Sequence, residues 1–414
     1  MSHYIKKLEI SKVRHLTGLT ISLDGKEKNH LILTGRNGSG KTSLLEAIRD
    51  YLVAFAEDYD ERKMILDDLH HVQNSSKDLL QKTGMMFISN EERIDDKNLG
   101  EKTGVIIDIM SSGEYAKSLK SGNFILAYYP AERKYSVANG KHIEKIILKN
   151  QYSLIEHPGQ EFVKYLLDCK TKESFYRGSG DIEKADGIKA WFDRLTGILR
   201  EIFEDPQLEL DFDIETFEFK IVETGHEPFS FAELSSGYAA ILDIVTDLMI
   251  RMEKNHSGTY DCPGIVLIDE IDVHLHLFLQ KNIMPILTGL FPNIQFIVST
   301  HSPFVLGSAK DTVIYDLQNK ICIPAEQGLS NIPYSGIVEG FFNVKELSRE
   351  LEDKYQRFQD LAKQETFSDD DMEELGTLMT YLDEIPHYLA LSISAGYQKT
   401  RLELEQRLEA EGLW

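Results

Sequence analysis

Apolar and polar positions along the chain predict alternating strands and helices. Tyr4-Ile5-Lys6-Lys7-Leu8-Glu9-Ile10 and Leu19-Thr20-Ile21-Ser22-Leu23 read as two strands within residues 4–24. Leu31-Ile32-Leu33 is a short apolar run expected as a buried strand, and Ser43 to Ile48 reads as the first turns of a helix, so residues 31–56 form a strand–loop–helix unit. Residues 57–122 are polar and charged, with a break around Asn74-Ser75-Ser76 and a strand at Val105 to Ile109. Phe124 to Tyr129 is a further buried strand, ended by Pro130. Residues 150–205 are expected to be mainly helical: Phe162, Tyr165 and Leu166 sit at i, i+3, i+4, and Ile188, Trp191 and Phe192 repeat that spacing. Arg177 to Asp181 reads as a loop, and Leu208–Asp213 with Phe217–Ile221 as a hairpin.

From residue 231 the pattern is α/β again. Gly264 to Ile268 and Ile294 to Val298 are continuous apolar runs, as in strands buried on both faces of a parallel sheet. Between them and the hairpin, Phe231 to Tyr238 opens a helix running through Leu242, Val245 and Met249. Val313-Ile314-Tyr315 is expected as a last strand, and residues 344–411 as charged helices. Ser368 before Asp369-Asp370-Asp371 reads as an N-cap with acidic first-turn residues. A divalent-metal site from these aspartates is the weaker reading, because consecutive carboxylates on a helix point in different directions.

With 414 residues the chain has room for one large domain or two to three ordinary ones, and 42% hydrophobic content supports a sizeable core. No apolar run reaches the roughly 18 residues of a membrane span, and Met1 to Lys7 offers no secretory signal. Cys169, Cys262 and Cys322 are widely spaced and odd in number, as expected of reduced thiols in a cytoplasmic protein. The net charge of −23 argues against wholesale coating of nucleic acid, leaving only a local basic patch or an assembly of chains for DNA.

Candidate chemistry concentrates in four segments. Gly35-Arg36-Asn37-Gly38-Ser39-Gly40-Lys41-Thr42 fits the phosphate-loop pattern G-x-x-x-x-G-K-[ST] at every defined position, in the strand–loop–helix context the pattern requires. Its glycines let backbone N–H groups point inward at an anion, Lys41 would reach the β- and γ-phosphates, and the Thr42 hydroxyl would ligate Mg²⁺. Asp269 and Glu270 end the 265–268 strand, the first suited to hold Mg²⁺, the second to orient or deprotonate a water at the γ-phosphate. Ser235, Ser236 and Gly237 open a helix whose N-terminus is a second phosphate grip, or a plain N-cap. His301 follows a buried strand, where it can bond a γ-phosphate or simply pack.

Together these segments resemble the ABC-type ATPase heads of the SMC/RecF/OLD kind. Five motifs stand in that order: Walker A at 35–42, signature at 234–238, Walker B at 265–270, D-loop Ile271-Asp272-Val273-His274, and switch histidine His301. The likeness covers roughly 1–55 and 225–320 and includes the opening Ile5 to Arg14. It implies an α/β head, a mixed sheet flanked by helices, with a helical insertion and a helical tail. The expected domains are 1–56 and 226–320 as the two lobes, 57–225 as the insertion, and 321–414 as the tail. The resemblance further implies ATP and Mg²⁺ as cofactors and head-to-head homodimers around two ATPs. Ser235 and Gly237 of one chain would then contact the γ-phosphate held by Lys41 of the other. Ser236 and Tyr238 depart from the common L-S-G-G-Q signature, which puts the strength of closure in doubt. No Q-loop glutamine is evident; Glu132 or Arg133 stands in its place. His274 and His276 are read as D-loop residues and not as a metal pair.

Residues 44–233 leave room only for a short arm, and residues 320–414 are too short and too helical for the nuclease domain of the OLD kind. Transport is disfavoured, because classical transporter ATPases serve a membrane partner and have a more compact helical subdomain. Two readings follow. The first is the ATPase of a bacterial anti-phage defence system, resembling the Septu type that acts with a separate nuclease, with the tail around Phe342, Leu347, Leu351 and Tyr355 as partner surface. The alternative is a RecF-like repair ATPase that clamps DNA on binding ATP. A non-hydrolysing scaffold ranks last.

Overall fold

The computed structural model describes residues 3–23, 28–56, 99–109, 112–133, 135, 144–154, 156–342, 348–364, 366–385 and 391–411. The break read at Asn74 to Ser76, and Leu347, lie outside them. The chain divides into two compact units, Met1–Ile332 and Pro333–Trp414.

In the first unit, β1 (Ile5–Val13) and β2 (Leu16–Ser22) pair antiparallel, and β4 (Val105–Ile109) joins the other edge of β1. Both early strands run further than the alternation predicts. Val13 and Leu16 are buried partners, so only Arg14 and His15 remain for the turn, with Arg14 at φ 51°. Between them in sequence lie β3 (His30–Thr34) and α1 (residues 41–56). Next come α2 (Ser112–Lys120), β5 (Ile125–Tyr129), and the helical hairpin of α3 (Phe162–Ser179) and α4 (Ile182–Phe203). The loop expected at Arg177–Asp181 is shorter than its composition suggests. Helix α3 continues to Ser179, Gly180 ends it in the left-handed region, and Asp181 caps α4 by accepting from Lys184 N–H.

The hairpin of β6 (Glu209–Asp213) and β7 (Glu218–Val222) forms as expected, with β8 (Phe229–Ser230) added. Phe231–Glu233 is a separate 3₁₀ turn, so α5 (Ser236–His256) starts later than the motif begins. The remaining elements are β9 (Gly264–Ile268), α6 (Leu277–Leu290), β10 (Ile294–Ser299), α7 (Pro303–Ser308) and β11 (Thr312–Asp316). The strand through Val313 is not the last: β12 (Ile321–Ile323) pairs antiparallel outside it, after a turn in which Asp316 accepts from Gln318 and Asn319 N–H.

The main sheet has the order β12-β11-β3-β10-β9-β5, parallel except at β12. Strands β3, β9, β10 and β11 are buried throughout, which accounts for their unbroken apolar runs. One core joins α1, the small sheet and a face of the main sheet, with Leu8, Leu44, Ile48, Tyr51 and Leu267 fully covered. Each such side chain contributes about 1.5–3 kcal/mol of burial. Buried Gln295 is satisfied on all sides: it donates to Ile5 O and Asn29 O and accepts from Ile5 N–H, tying β1 to β10.

The second unit packs α8 (Arg349–Ala362), α9 (Asp369–Asp383) and α10 (Leu391–Glu411) around Phe358, Leu361, Leu375, Leu378 and Leu404. Leu351 and Tyr355, expected on a partner surface, are partly buried against this unit's own core. Asp371 completes a capping box with Ser368, so one of the three consecutive aspartates serves the helix start.

His30 is buried, and its Nδ1 accepts from Phe296 N–H at 3.0 Å. Burial, helped by Lys28, pushes its pKa down from 6.5 to about 3. The unfolded chain therefore binds the proton first, and stability from this group is full above pH 6.5 and falls as pH drops toward 3. Denaturant titrations should show His30 alone removing about 2 kcal/mol between pH 7 and pH 5. His30→Asn, which keeps an acceptor for Phe296, should flatten the slope by that amount; an unchanged slope would reject the assignment.

Candidate functional site

Parallel pairing aligns the carboxyl ends of four strands. Ser299 stands beside Leu33, Val298 beside Ile268, and Tyr129 beside Ile268. The segments leaving these strands are the phosphate loop, Thr300-His301, Asp269-Glu270 and Pro130 to Arg133, so residues distant in sequence meet at one sheet edge.

The phosphate loop is bent by Gly35, Gly38 and Gly40 at φ 131°, 80° and 98°. A Cβ at Gly35 would lie 2.9 Å from Ser39 Oγ. Lys41, only 5% exposed, turns back along the loop: Nζ donates to Gly35 O at 3.0 Å, to Arg36 O at 3.4 Å and to His301 Nε2 at 2.7 Å. Burial lowers the Lys41 pKa, although Glu270, Asp269, Asp272 and Asp316 pull it upward. Burial, then Lys41, lowers that of His301, which keeps its ring neutral and able to accept.

Asp269 is buried, and Ser299 Oγ donates to its Oδ1 at 2.5 Å while accepting Glu270 N–H at 2.8 Å. Glu270 itself sits at φ 44°, a strained value for a non-glycine residue, directing the chain sharply out of β9. Arg133 braces the same bend, donating to Asp269 O at 2.8 Å and Glu270 O at 3.1 Å. Glu132, the other residue at the expected Q-loop position, is exposed. Thr300 Oγ1 donates to Asp272 at 2.5 Å and thereby orders the D-loop segment.

A cavity of about 340 Å³ lies over the phosphate loop, its walls including Asn37, Gly38, Gly40, Lys41, Thr42 and Glu270. Arg14 and His15 from the β1–β2 turn also line it, and His15 Nε2 donates to Ser39 O at 3.1 Å. Neither was expected at the site. The signal was the two-residue gap between buried Val13 and Leu16, which makes a tight turn on this edge. Ser299 was likewise missed, because a serine ending an apolar strand has no distinctive pattern.

Ser235, Ser236 and Gly237 are not among the residues lining that cavity. Ser235 and Ser236 are exposed at the α5 N-terminus, and Ser235 makes no side-chain cap bond. Gly237 is buried against the D-loop: a Cβ there would lie 3.3 Å from His274 O and 3.7 Å from His276 Cδ2. Tyr238 stacks on Phe203 of α4 at 4.1 Å between ring centroids, so it serves its own lobe. Helix α5 is locked to the sheet from below. Arg251 donates to Asp247 at 2.7 Å, Tyr129 OH donates to the same carboxylate at 2.7 Å, and Gly159 N–H reaches its other oxygen. Among the described residues no group of three His, Cys, Asp or Glu could hold a metal by itself, and no helix is long and apolar enough to cross a membrane.

Comparison with known proteins finds matches to ATPase-type domains. A family model described as "AAA domain, putative AbiEii toxin, Type IV TA system" matches residues 118–307, and an "AAA domain" model matches residues 7–173. The chain is 36% identical to the retron Ec83 probable ATPase of Escherichia coli over 39% of this chain and 30% of that one. It is 31% identical to the Septu protein PtuA of Bacillus mycoides (strain KBAB4), over 42% of this chain and 26% of that one. The retron Vc95 probable ATPase of Vibrio cholerae serotype O1 biovar El Tor is 26% identical over 68% of this chain and 67% of its own length. The matched part is thus under a third of the Ec83 and PtuA proteins. A solved SMC head bound to the C-winged helix domain of ScpA aligns over 78% of this chain and 99% of its own, at 14% identity and TM-score 0.38, too slight to carry an argument.

The Ser299 bridge yields a direct prediction. Ser299→Ala strands a buried carboxylate oxygen and a backbone N–H, and should cost about 2 kcal/mol in urea unfolding with an unchanged m-value. A loss below about 0.5 kcal/mol would mean the bridge does not hold Asp269 and Glu270.

Proposed function

We propose that this chain binds and hydrolyses ATP with Mg²⁺, closes as a head-to-head homodimer around two ATPs, and serves as the ATPase subunit of an anti-phage defence system with a separate nuclease effector. The observation that carries this reading is the convergence of three distant segments: Lys41 and Glu270 line one cavity, and His301 is bonded to Lys41. The similarity to the two retron probable ATPases and to the Septu protein supports the defence role.

In this reading Gly35 to Lys41 grip the phosphates through backbone N–H groups and the Lys41 ammonium. Thr42 and Asp269 would hold Mg²⁺, whose charge offsets that of the phosphates; the donor set of hydroxyl and carboxylate oxygens suits that ion. Glu270 accepts a proton from a water whose oxygen bonds to the γ-phosphorus as the bond to the β-phosphate oxygen breaks, leaving ADP and phosphate. His301 would donate to the γ-phosphate while that group is bound and return to the Lys41 ammonium, its partner in this structure, when the phosphate leaves. Ser235, Ser236 and Gly237 lie outside their own chain's cavity and would complete the site of a second copy. Leu277 and Phe278, 60% and 40% exposed at the start of α6, are an apolar pair beside the signature helix and support a protein neighbour there.

Nucleotide-binding and phosphate-release assays test the roles. Lys41→Ala should lose ATP binding. Glu270→Gln should bind ATP normally and hydrolyse it at least about 100-fold more slowly. Ser235→Arg should bind ATP as the wild type does yet hydrolyse little. Wild-type rates in Glu270→Gln would refute the base, and wild-type rates in Ser235→Arg the cross-chain role. The defence role predicts that Glu270→Gln purified from its host with ATP and Mg²⁺ retains a second protein in fixed ratio. A chain that purifies alone and protects no cells from phage would overturn it.

A further inference from the structure

The edge of the main sheet opposite the phosphate loop carries a second cavity, of about 610 Å³, within the range of small-molecule sites. It lies between the ends of α6 and α7 and the starts of β3 and β11, and Lys28, His30, Gly289, Lys310 and Asp311 are among its walls. His30 is 5% exposed. Because its Nδ1 accepts from Phe296 N–H, the neutral ring carries its proton on Nε2, and among the described residues no hydrogen bond is made by that nitrogen. The Lys28 ammonium donates to Pro292 O at 2.5 Å and Ile294 O at 2.6 Å, and its third N–H has no partner among the described residues. Both partners are neutral carbonyls, and burial pulls the Lys28 pKa down to about 8. Lys310 is exposed at the rim, with Asp311 beside it.

In a chain of net charge −23, two ammonium groups and an imidazole N–H thus share one concave site. Met284, Pro285, Pro292 and Ala309 give the same walls an apolar part. We propose that this cavity is a second ligand site, separate from the phosphate loop, for a small anion with an apolar body: the anionic group meets Lys28, His30 and Lys310, and the body lies on the proline, methionine and alanine side chains. Nothing in the phosphate-loop chemistry uses these residues, so the site stands or falls independently of the ATPase reading.

Gly289 provides the test. It sits in α6 on the cavity wall, and a Cβ there would meet no heavy atom within 4 Å, so Gly289→Phe can place a ring on that wall, with the thermal midpoint as the check on the fold. The probe is anilinonaphthalene sulfonate, an anion on an aromatic body, titrated by fluorescence into the full chain with excess ATPγS and Mg²⁺ present. The wild type should show a saturable site that Gly289→Phe abolishes at an undiminished thermal midpoint. Lys310→Glu should weaken that site about tenfold, and Asp311→Asn, which removes the one carboxylate among the described residues of the wall, should tighten it. Absence of a saturable site in the wild type, or titrations of Gly289→Phe and Lys310→Glu that match it, would overturn the proposal.

Discussion

A nearly buried ammonium whose hydrogen-bond partners are all neutral is the constraint on which the rest of this site turns. Lys41 bonds two carbonyls and an imidazole, and among the described residues no carboxylate is within ion-pair distance of it. Its charge is largely shielded from water without an ion-pair partner among the described residues, an expensive arrangement that nearby carboxylates only partly relieve. A polyphosphate is the chemistry that repays it. In the proposed function the same contact would tie His301 to nucleotide state. The ring can accept from Lys41 only while neutral, and burial and Lys41 both hold it so.

What places Lys41 is the parallel sheet. Strands β3, β10, β9 and β5 end in register, so their following segments share an edge no matter how far apart they are in the chain. The edge is then stiffened by small devices: the Ser299 hydroxyl between Asp269 and Glu270, and the Arg133 guanidinium across the carbonyls of both. These hold Glu270 at a backbone angle it would not otherwise favour. The signature helix is held separately, through Asp247 and Arg251, with its exposed N-terminus outside the cavity of its own chain.

Much of this was legible because the signals are local. The phosphate loop, the buried runs at 264–268 and 294–298, and the acidic strand end each depend on a few adjacent residues. What was not legible depends on pairing between segments. That Arg14 and His15 reach the phosphate loop follows from the β1–β2 register, and that Arg133 rather than Glu132 turns inward follows from carbonyls 136 and 137 residues away. The edge strand β12 escaped notice because Ile321-Cys322-Ile323 is short and largely exposed, and the end of α3 because Gly178 and Ser179 look like loop residues yet continue the helix. In the tail, Leu351 and Tyr355 are apolar for their own unit's core, a distinction that periodicity alone does not make.

The central claim is that one chain holds the nucleotide while a second completes the site. Light scattering on Glu270→Gln, with and without ATP and Mg²⁺, tests it most directly. The account predicts a nucleotide-dependent rise to twice the 47.3 kDa of a single chain, or to twice whatever assembly exists without nucleotide. A mass that stays the same while ATP is demonstrably bound would contradict it.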